Sequence, residues 1–195
     1  MSDIPFFTDV DRLLAALGEQ LAAADAATEI VVVGGAALIA IGAIERATRD
    51  VDLLALREGE RLLSANPLPA ALVSARERVG RDFGLRGDWL NPGPTSLLDL
   101  GLPGGFIGRL QTRAYGDALT VHFASRFDQI HFKLYALVHQ GPGRHETDLR
   151  ALSPSSEELL GAARWTRTHD PSPAFRVSLE GVLRHLGVDG GDLDA

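Results

Sequence analysis

The chain has 195 residues, 45% of them hydrophobic and 23% charged, with a formal net charge of −7. That length supports one substantial core with a helical extension, the acidic balance speaks against broad nonspecific nucleic-acid binding, and the absence of cysteine excludes a disulfide framework or a thiolate metal site. No stretch is apolar for long enough to span a bilayer, and the opening MSDIPFFTDV lacks the basic start and apolar run of a signal peptide, so a cytoplasmic protein is expected.

Val10, Leu13, Leu14, Leu17, Leu21 and Ala24 recur at helical spacing and predict a helix over 9–27, with Thr8 or Asp9 as its cap. An apolar strand over 30–33 follows, then a Gly34-Gly35 turn, a helix over 36–44, and a second strand that carries Asp50 and Asp52. Helices are expected over 58–66 and 68–83, the first ended by Asn66-Pro67 and the second with Pro69 in its first turn. Residues 84–94 read as irregular, 96–100 as a short strand, and 106–115 and 118–123 as two more strands. Gly104-Gly105 and Gly116-Asp117 supply the turns.

From Phe127 the pattern becomes helical: 127–139, 145–152, 155–167 with a serine cap at its start, and 172–187. The expected class is α/β (α+β), with a small mixed sheet flanked by helices over 1–125, a helical C-terminal part over 126–187 and a loose acidic tail over 188–195.

Side chains alternate faces along a strand, so Asp50 and Asp52 point one way while Val51 and Leu53 point into the core. Two parallel carboxylates are costly unless a cation sits between them, and a divalent ion with oxygen ligands meets that need. The glycines let the chain turn sharply after the first strand and approach a ligand closely. The following helix aims its positive end above the turn, where a phosphate fits. A dinucleotide-binding reading of VVVGG fails, because no G-x-G-x-x-G follows and the acids arrive too soon after the turn.

Strand, GG, helix and D-x-D, with Arg46-Ala47-Thr48-Arg49-Asp50-Val51-Asp52 matching R-x-T-x-D-x-D, resembles the polymerase-beta-type nucleotidyltransferase superfamily, and within it the minimal, toxin-like branch related to abortive-infection toxins. The resemblance implies a nucleotidyltransferase-like fold and Mg²⁺ or Mn²⁺ held by Asp50 and Asp52. It implies an NTP bound through Gly34, Gly35, Arg46, Thr48, Lys133 and Asp148. It further implies transfer of a nucleoside monophosphate to a hydroxyl of RNA or protein, as in a toxin with a cognate antitoxin or a phage-defence enzyme. Lys133, the one lysine in the chain, stands in a K-L-x-A-L helix like that of the branch, and Asp148-Leu149 matches its terminal D-L, with His145 where the branch carries an acid.

Relatives usually add a third carboxylate from a later strand. Here 118–123 carries His122 as its titratable side chain, with Asp117 just before it and Asp99 on the earlier predicted strand. His122 is expected as the catalytic base, histidine being the side chain that changes charge near neutrality. The competing class is a catalytically inactive nucleotide-binding or interaction protein on the same fold. Arg46, Arg49, Arg109, Arg113 and Arg126 are candidates for an anionic cleft. Trp89 and Trp165 are expected in packing.

Overall fold

A computed structural model describes residues 9–189 and 193. Asp9 caps the first helix, α1 (Val10–Ala22), by accepting from the Arg12 amide at 2.9 Å. The helix stops five residues short of the predicted end, since Asp25 adopts a positive φ and Thr28 already belongs to the next strand. Val10, Leu13, Leu14, Leu17 and Leu21 form its buried stripe. Gly18 lies on the same side, where a Cβ would come within 2.2 Å of the Tyr115 carbonyl oxygen, so only glycine allows this approach.

Among the described residues the sheet has six strands. β1 (Thr28–Val33) lies at its centre, antiparallel to β2 (Val51–Glu58) and parallel to β6 (Leu119–Phe123). β3 (Arg61–Leu63) continues from β2, β4 (Leu90–Asn91) pairs parallel with the start of β2, and β5 (Gln111–Tyr115) forms the other edge against β6. Between β1 and β2 runs α2 (Gly34–Ala40). α3 (Ala70–Phe83) packs on α1 and is closed by Gly84 in the left-handed conformation. Ile30, Val32, Val51, Leu53, Val121 and Phe123 face α1 and α3 across one core, and Trp89 is buried in it with its indole N–H donating to the Arg76 carbonyl at 2.9 Å.

A bulge governs how β2 presents its side chains. Val32 pairs with Leu53 and Val31 with Ala55, leaving Leu54 as the extra residue. Leu53 and Leu56 can therefore both face the core although an odd number of steps separates them. Asp52 precedes the bulge and keeps the face opposite Val51 and Leu53.

The strand expected over 106–115 begins only at Gln111, after a 3₁₀ turn over Ile107–Arg109, and two other predicted elements differ in kind. The helix expected over 58–66 is a hairpin: Glu58 pairs with Arg61 across a tight turn that needs the positive φ of Gly59, and this places β3 on a ladder already in register. The strand expected over 96–100 is a 3₁₀ turn, Gly93–Ser96, running into α4 (Leu97–Leu100). Thr95 pins that turn to β2, its hydroxyl donating to the Leu54 carbonyl at 2.6 Å and accepting from the Ala65 amide at 3.0 Å.

The chain divides into two units, Met1–Ser125 and Arg126–Ala195. Among its described residues the second is built of helices: α5 (Arg126–Gln140), α6 (Arg144–Ala151), α7 (Ser156–Arg167) and α8 (Pro173–His185). α5 packs against the other three. Ser155 and Glu158 make a reciprocal capping box at the start of α7. The Glu158 carboxylate also takes the Arg126 guanidinium, which holds it below the ordinary carboxylate range and ties the start of α5 to α7. Trp165 packs edge-on to Phe132 and Tyr135 at 5.8 and 5.9 Å. Of the tail expected over 188–195, residues 190–192 and 194–195 lie outside those described. Val188 is buried, and its N–H donates to the Leu183 carbonyl at 2.9 Å. Among the described residues no helix is long and apolar enough to cross a membrane.

Candidate functional site

At the end of β1 the chain makes a sharp entry into α2, with Gly34 at φ +71°. Val33 pairs with Asp52, so the carboxylate lies directly beside this glycine. A Cβ on Gly34 would fall 2.2 Å from Asp52 Oδ2. One on Gly35 would fall 2.9 Å from Thr48 Oγ1 and 3.3 Å from an Arg46 guanidinium nitrogen. Gly34 is favoured by its left-handed backbone, and a Cβ at either glycine would have to push aside Asp52 or Thr48. The buried Thr48 hydroxyl donates to the Asp50 carbonyl at 3.2 Å, which shapes the bend leading into β2.

Six of the predicted residues, Gly34, Gly35, Arg46, Thr48, Asp50 and Asp52, therefore meet at one end of the central strands. Asp50, Asp52 and Arg46 are each half-buried. A seventh group joins them. Asn91 on β4 pairs with Asp52, and its amide nitrogen donates to Asp52 Oδ1 at 3.3 Å while its oxygen accepts from the Gly93 amide at 2.9 Å. Sequence reasoning missed Asn91 because a two-residue strand has no periodicity. The available signal was the apolar Trp89-Leu90 pair before Asn91-Pro92.

Asp52 lies on β2 and Asp50 in the bend just before it rather than on the strand, and these two carboxylates, beside a cation and small backbone-exposing residues, form an oxygen donor set. That set fits Mg²⁺, which typically takes one or two protein carboxylates and completes its shell with water and substrate phosphates. It does not make a closed protein cage: no group of three or more histidine, aspartate or glutamate side chains is arranged for a metal among the described residues. No family model, curated protein or solved structure matches the chain.

The structure does not bring His122 to this cluster. His122 pairs with Val31 in the β1–β6 ladder, two residues back from Val33 and with β1 between it and β2, which places it on the order of 12 Å from Asp52. Its ring is engaged elsewhere. Nε2 lies 2.9 Å from Glu29 Oε2, and Nδ1 lies 3.1 Å from Arg57 and 2.8 Å from the Thr112 hydroxyl. A guanidinium can only donate, so Nδ1 accepts and Nε2–H donates to Glu29. Asp117 is further away, in the β5–β6 turn at the opposite end of β1, roughly 16 Å along the strand. Asp99 is on α4 rather than on a strand.

Lys133 and Asp148 are on α5 and α6 of the second unit, both buried, with Nζ donating to Asp148 Oδ2 at 2.7 Å. Lys133 is thus neither an exposed snorkelling residue nor a cation without a counter-charge. His145 hydrogen-bonds Gln140 at 3.1 Å. Of the arginines, Arg113 pairs with Asp11 and covers the Phe123 ring, Arg126 is held by Glu158, and Arg109 donates to the Gly104 carbonyl at 2.7 Å.

Proposed function

We propose that the protein is a metal-dependent nucleotidyltransferase that carries a nucleoside monophosphate from an NTP to a hydroxyl of RNA or protein. What supports this is the convergence of Asp52 on Gly34 and of Arg46 and Thr48 on Gly35 at the mouth of α2. Asp50 and Asp52 would hold Mg²⁺ or Mn²⁺ together with the triphosphate, and the Arg46 guanidinium would offset phosphate charge. The bound ion, when present, stabilises charge on the α-phosphate and on the departing pyrophosphate. Gly34 and Gly35 let phosphate oxygens come close to the backbone, and Asn91 orients the Asp52 carboxylate. The resemblance of the motif extends this reading to a toxin or defence enzyme with a cognate antitoxin.

The deciding experiment measures NTP binding and transfer of α-labelled nucleotide with Mg²⁺ or Mn²⁺, for the wild type and Asp52→Asn. Binding should require the divalent ion, and the variant should lose transfer by about a hundredfold or more, since it removes a metal ligand. Its melting temperature should stay level or rise, because one of two neighbouring like charges is gone. Transfer unchanged in Asp52→Asn would remove the metal site. The second reading, a nucleotide-binding protein without turnover, is favoured by the amide of Asn91 beside Asp52, where a third acid would complete the set. Divalent-dependent binding without any transfer would establish it.

A further inference from the structure

A cleft opens beside Asn91, the β4 residue that hydrogen-bonds Asp52. It has a volume of about 470 Å³ and is lined by Ser64, Asn66, Asn91, Thr95, Ser96 and Asp99, all from the first unit. No lysine or arginine lines it among the described residues. Asn66 and Asp99 are exposed, and their side chains make no hydrogen bond or ion pair among the described residues. The other polar groups are already fixed in the wall: Thr95 to β2, Asn91 to Asp52 and Gly93, Ser96 to the Gly93 carbonyl at 3.4 Å. The cleft is therefore a held shape with two spare polar groups at its rim.

Its position relative to the carboxylates carries the argument. A strand has two hydrogen-bonding edges. At Asp52 one edge of β2 is taken by β1, leading to Gly34, and the other by β4, bearing Asn91. The glycine turn and Arg46 are thus on one side of Asp52 and the cleft on the other. In-line phosphoryl chemistry needs the attacking and leaving oxygens on opposite sides of phosphorus. With the triphosphate tail on the glycine side, the attacking group enters from the cleft.

We propose that this cleft receives the acceptor, and that the acceptor is a serine, threonine or tyrosine hydroxyl on a neutral or basic protein segment. The inference rests on the nucleotidyltransferase reading and chooses between its two acceptor classes. A phosphodiester chain would meet the Asp99 carboxylate with no cation in the lining to offset it, on a protein of net charge −7. A peptide brings backbone N–H groups and basic side chains that Asp99 accepts, and backbone carbonyls that the Asn66 amide serves. In the reaction the side-chain oxygen bonds to the α-phosphorus and the bond from that phosphorus to the β-bridging oxygen breaks. Pyrophosphate departs with the electron pair, and the hydroxyl proton passes to water in the open cleft.

The test offers the full chain Mg²⁺ and an α-labelled NTP, with three acceptors in parallel. These are a short basic peptide containing serine, threonine and tyrosine, its acidic counterpart, and single-stranded RNA with a free 3′-hydroxyl. NTP binding is measured separately on the same samples. Label is expected on the basic peptide, with about a tenfold preference over the acidic one that Asp99→Arg reverses while NTP affinity is kept. Label on RNA overturns the proposal, as does peptide labelling indifferent to Asp99→Arg, or NTP binding with no acceptor labelled. Absence of divalent-dependent NTP binding brings down the parent reading instead, and this inference with it.

Discussion

Two polar constellations in this molecule are built on opposite principles. Around Gly34 and Gly35, the Asp50, Asp52 and Arg46 side chains stay half-exposed, and only the hydroxyl of Thr48 is fully buried. On α5 and α6, Lys133 and Asp148 are 5% and 1% exposed and meet at 2.7 Å. A charge left partly in water at a strand end can be handed to a ligand at small cost. A charge buried against its own counter-ion is already neutralised, and moving it means breaking a desolvated pair. On the proposed function the first arrangement serves a ligand, whereas the second is a bond holding two helices.

Lys133→Ala tests the second half of this contrast most severely. It leaves Asp148 buried without its cation, and a loss of roughly 3–5 kcal/mol is expected in denaturant unfolding. Lys133→Met with Asp148→Leu should recover most of it, since the pair is replaced by apolar groups. A Lys133→Ala protein as stable as the wild type but weakened in NTP binding would make Lys133 a ligand-facing cation and dissolve the contrast.

Gly34→Ala probes the first constellation. The left-handed backbone at φ +71° costs a side-chain-bearing residue about 1–2 kcal/mol. The new Cβ also lands on Asp52 Oδ2 and must displace it. Mn²⁺ titration in the presence of NTP should show affinity lowered about tenfold, within the range for disturbed metal ligands. Unaltered Mn²⁺ affinity would mean that the position of Asp52 is irrelevant to the ion.

His122→Gln separates the sheet's interior from its working end. It perturbs the hydrogen bonds to Glu29, Arg57 and Thr112, for about 1 kcal/mol of stability. Transfer should nevertheless stay within about twofold, because catalytic groups act only within hydrogen-bond reach of the proton they move. A large fall in the transfer rate, with NTP affinity intact, would return His122 to the role of base.

The gentlest expectation concerns His169 in the second unit, which meets Trp165 edge-on at 4.5 Å. Burial, and secondarily the nearby His139, lower its pKa from 6.5. The folded state then resists protonation more than the unfolded chain does. Stability should therefore fall as pH drops below about 6.5, down to the depressed folded value. Melting curves between about pH 7.5 and about pH 5.5 should show this decline, and His169→Gln should flatten it. Identical slopes in both proteins would assign the pH response to other groups.

Much of the candidate site's local geometry was readable without coordinates. Gly34-Gly35 and Asp50-Val51-Asp52 obey rules that act over a few residues: glycine's access to positive φ, and the alternation of strand side chains. Their meeting follows from one short strand–helix–strand excursion. The helices of the second unit were equally legible, because apolar spacing marks their faces and Ser155 marks the start of α7. The segments over 58–66 and 96–100 were misread for the opposite reason. Their state depends on β2 already being present, as a ladder partner for Arg61 and as the acceptor for the Thr95 hydroxyl.

The same dependence explains Asn91, His122 and the cleft. Which strand neighbours Asp52 is a matter of sheet order, and sheet order is chosen by packing between residues far apart in the chain. A β1 inserted between β2 and β6 removes His122 from the carboxylates, and a two-residue β4 brings an amide to them. Local backbone chemistry wrote the glycine–aspartate motif into the chain. Long-range pairing, which no window of sequence contains, selected the company that motif keeps.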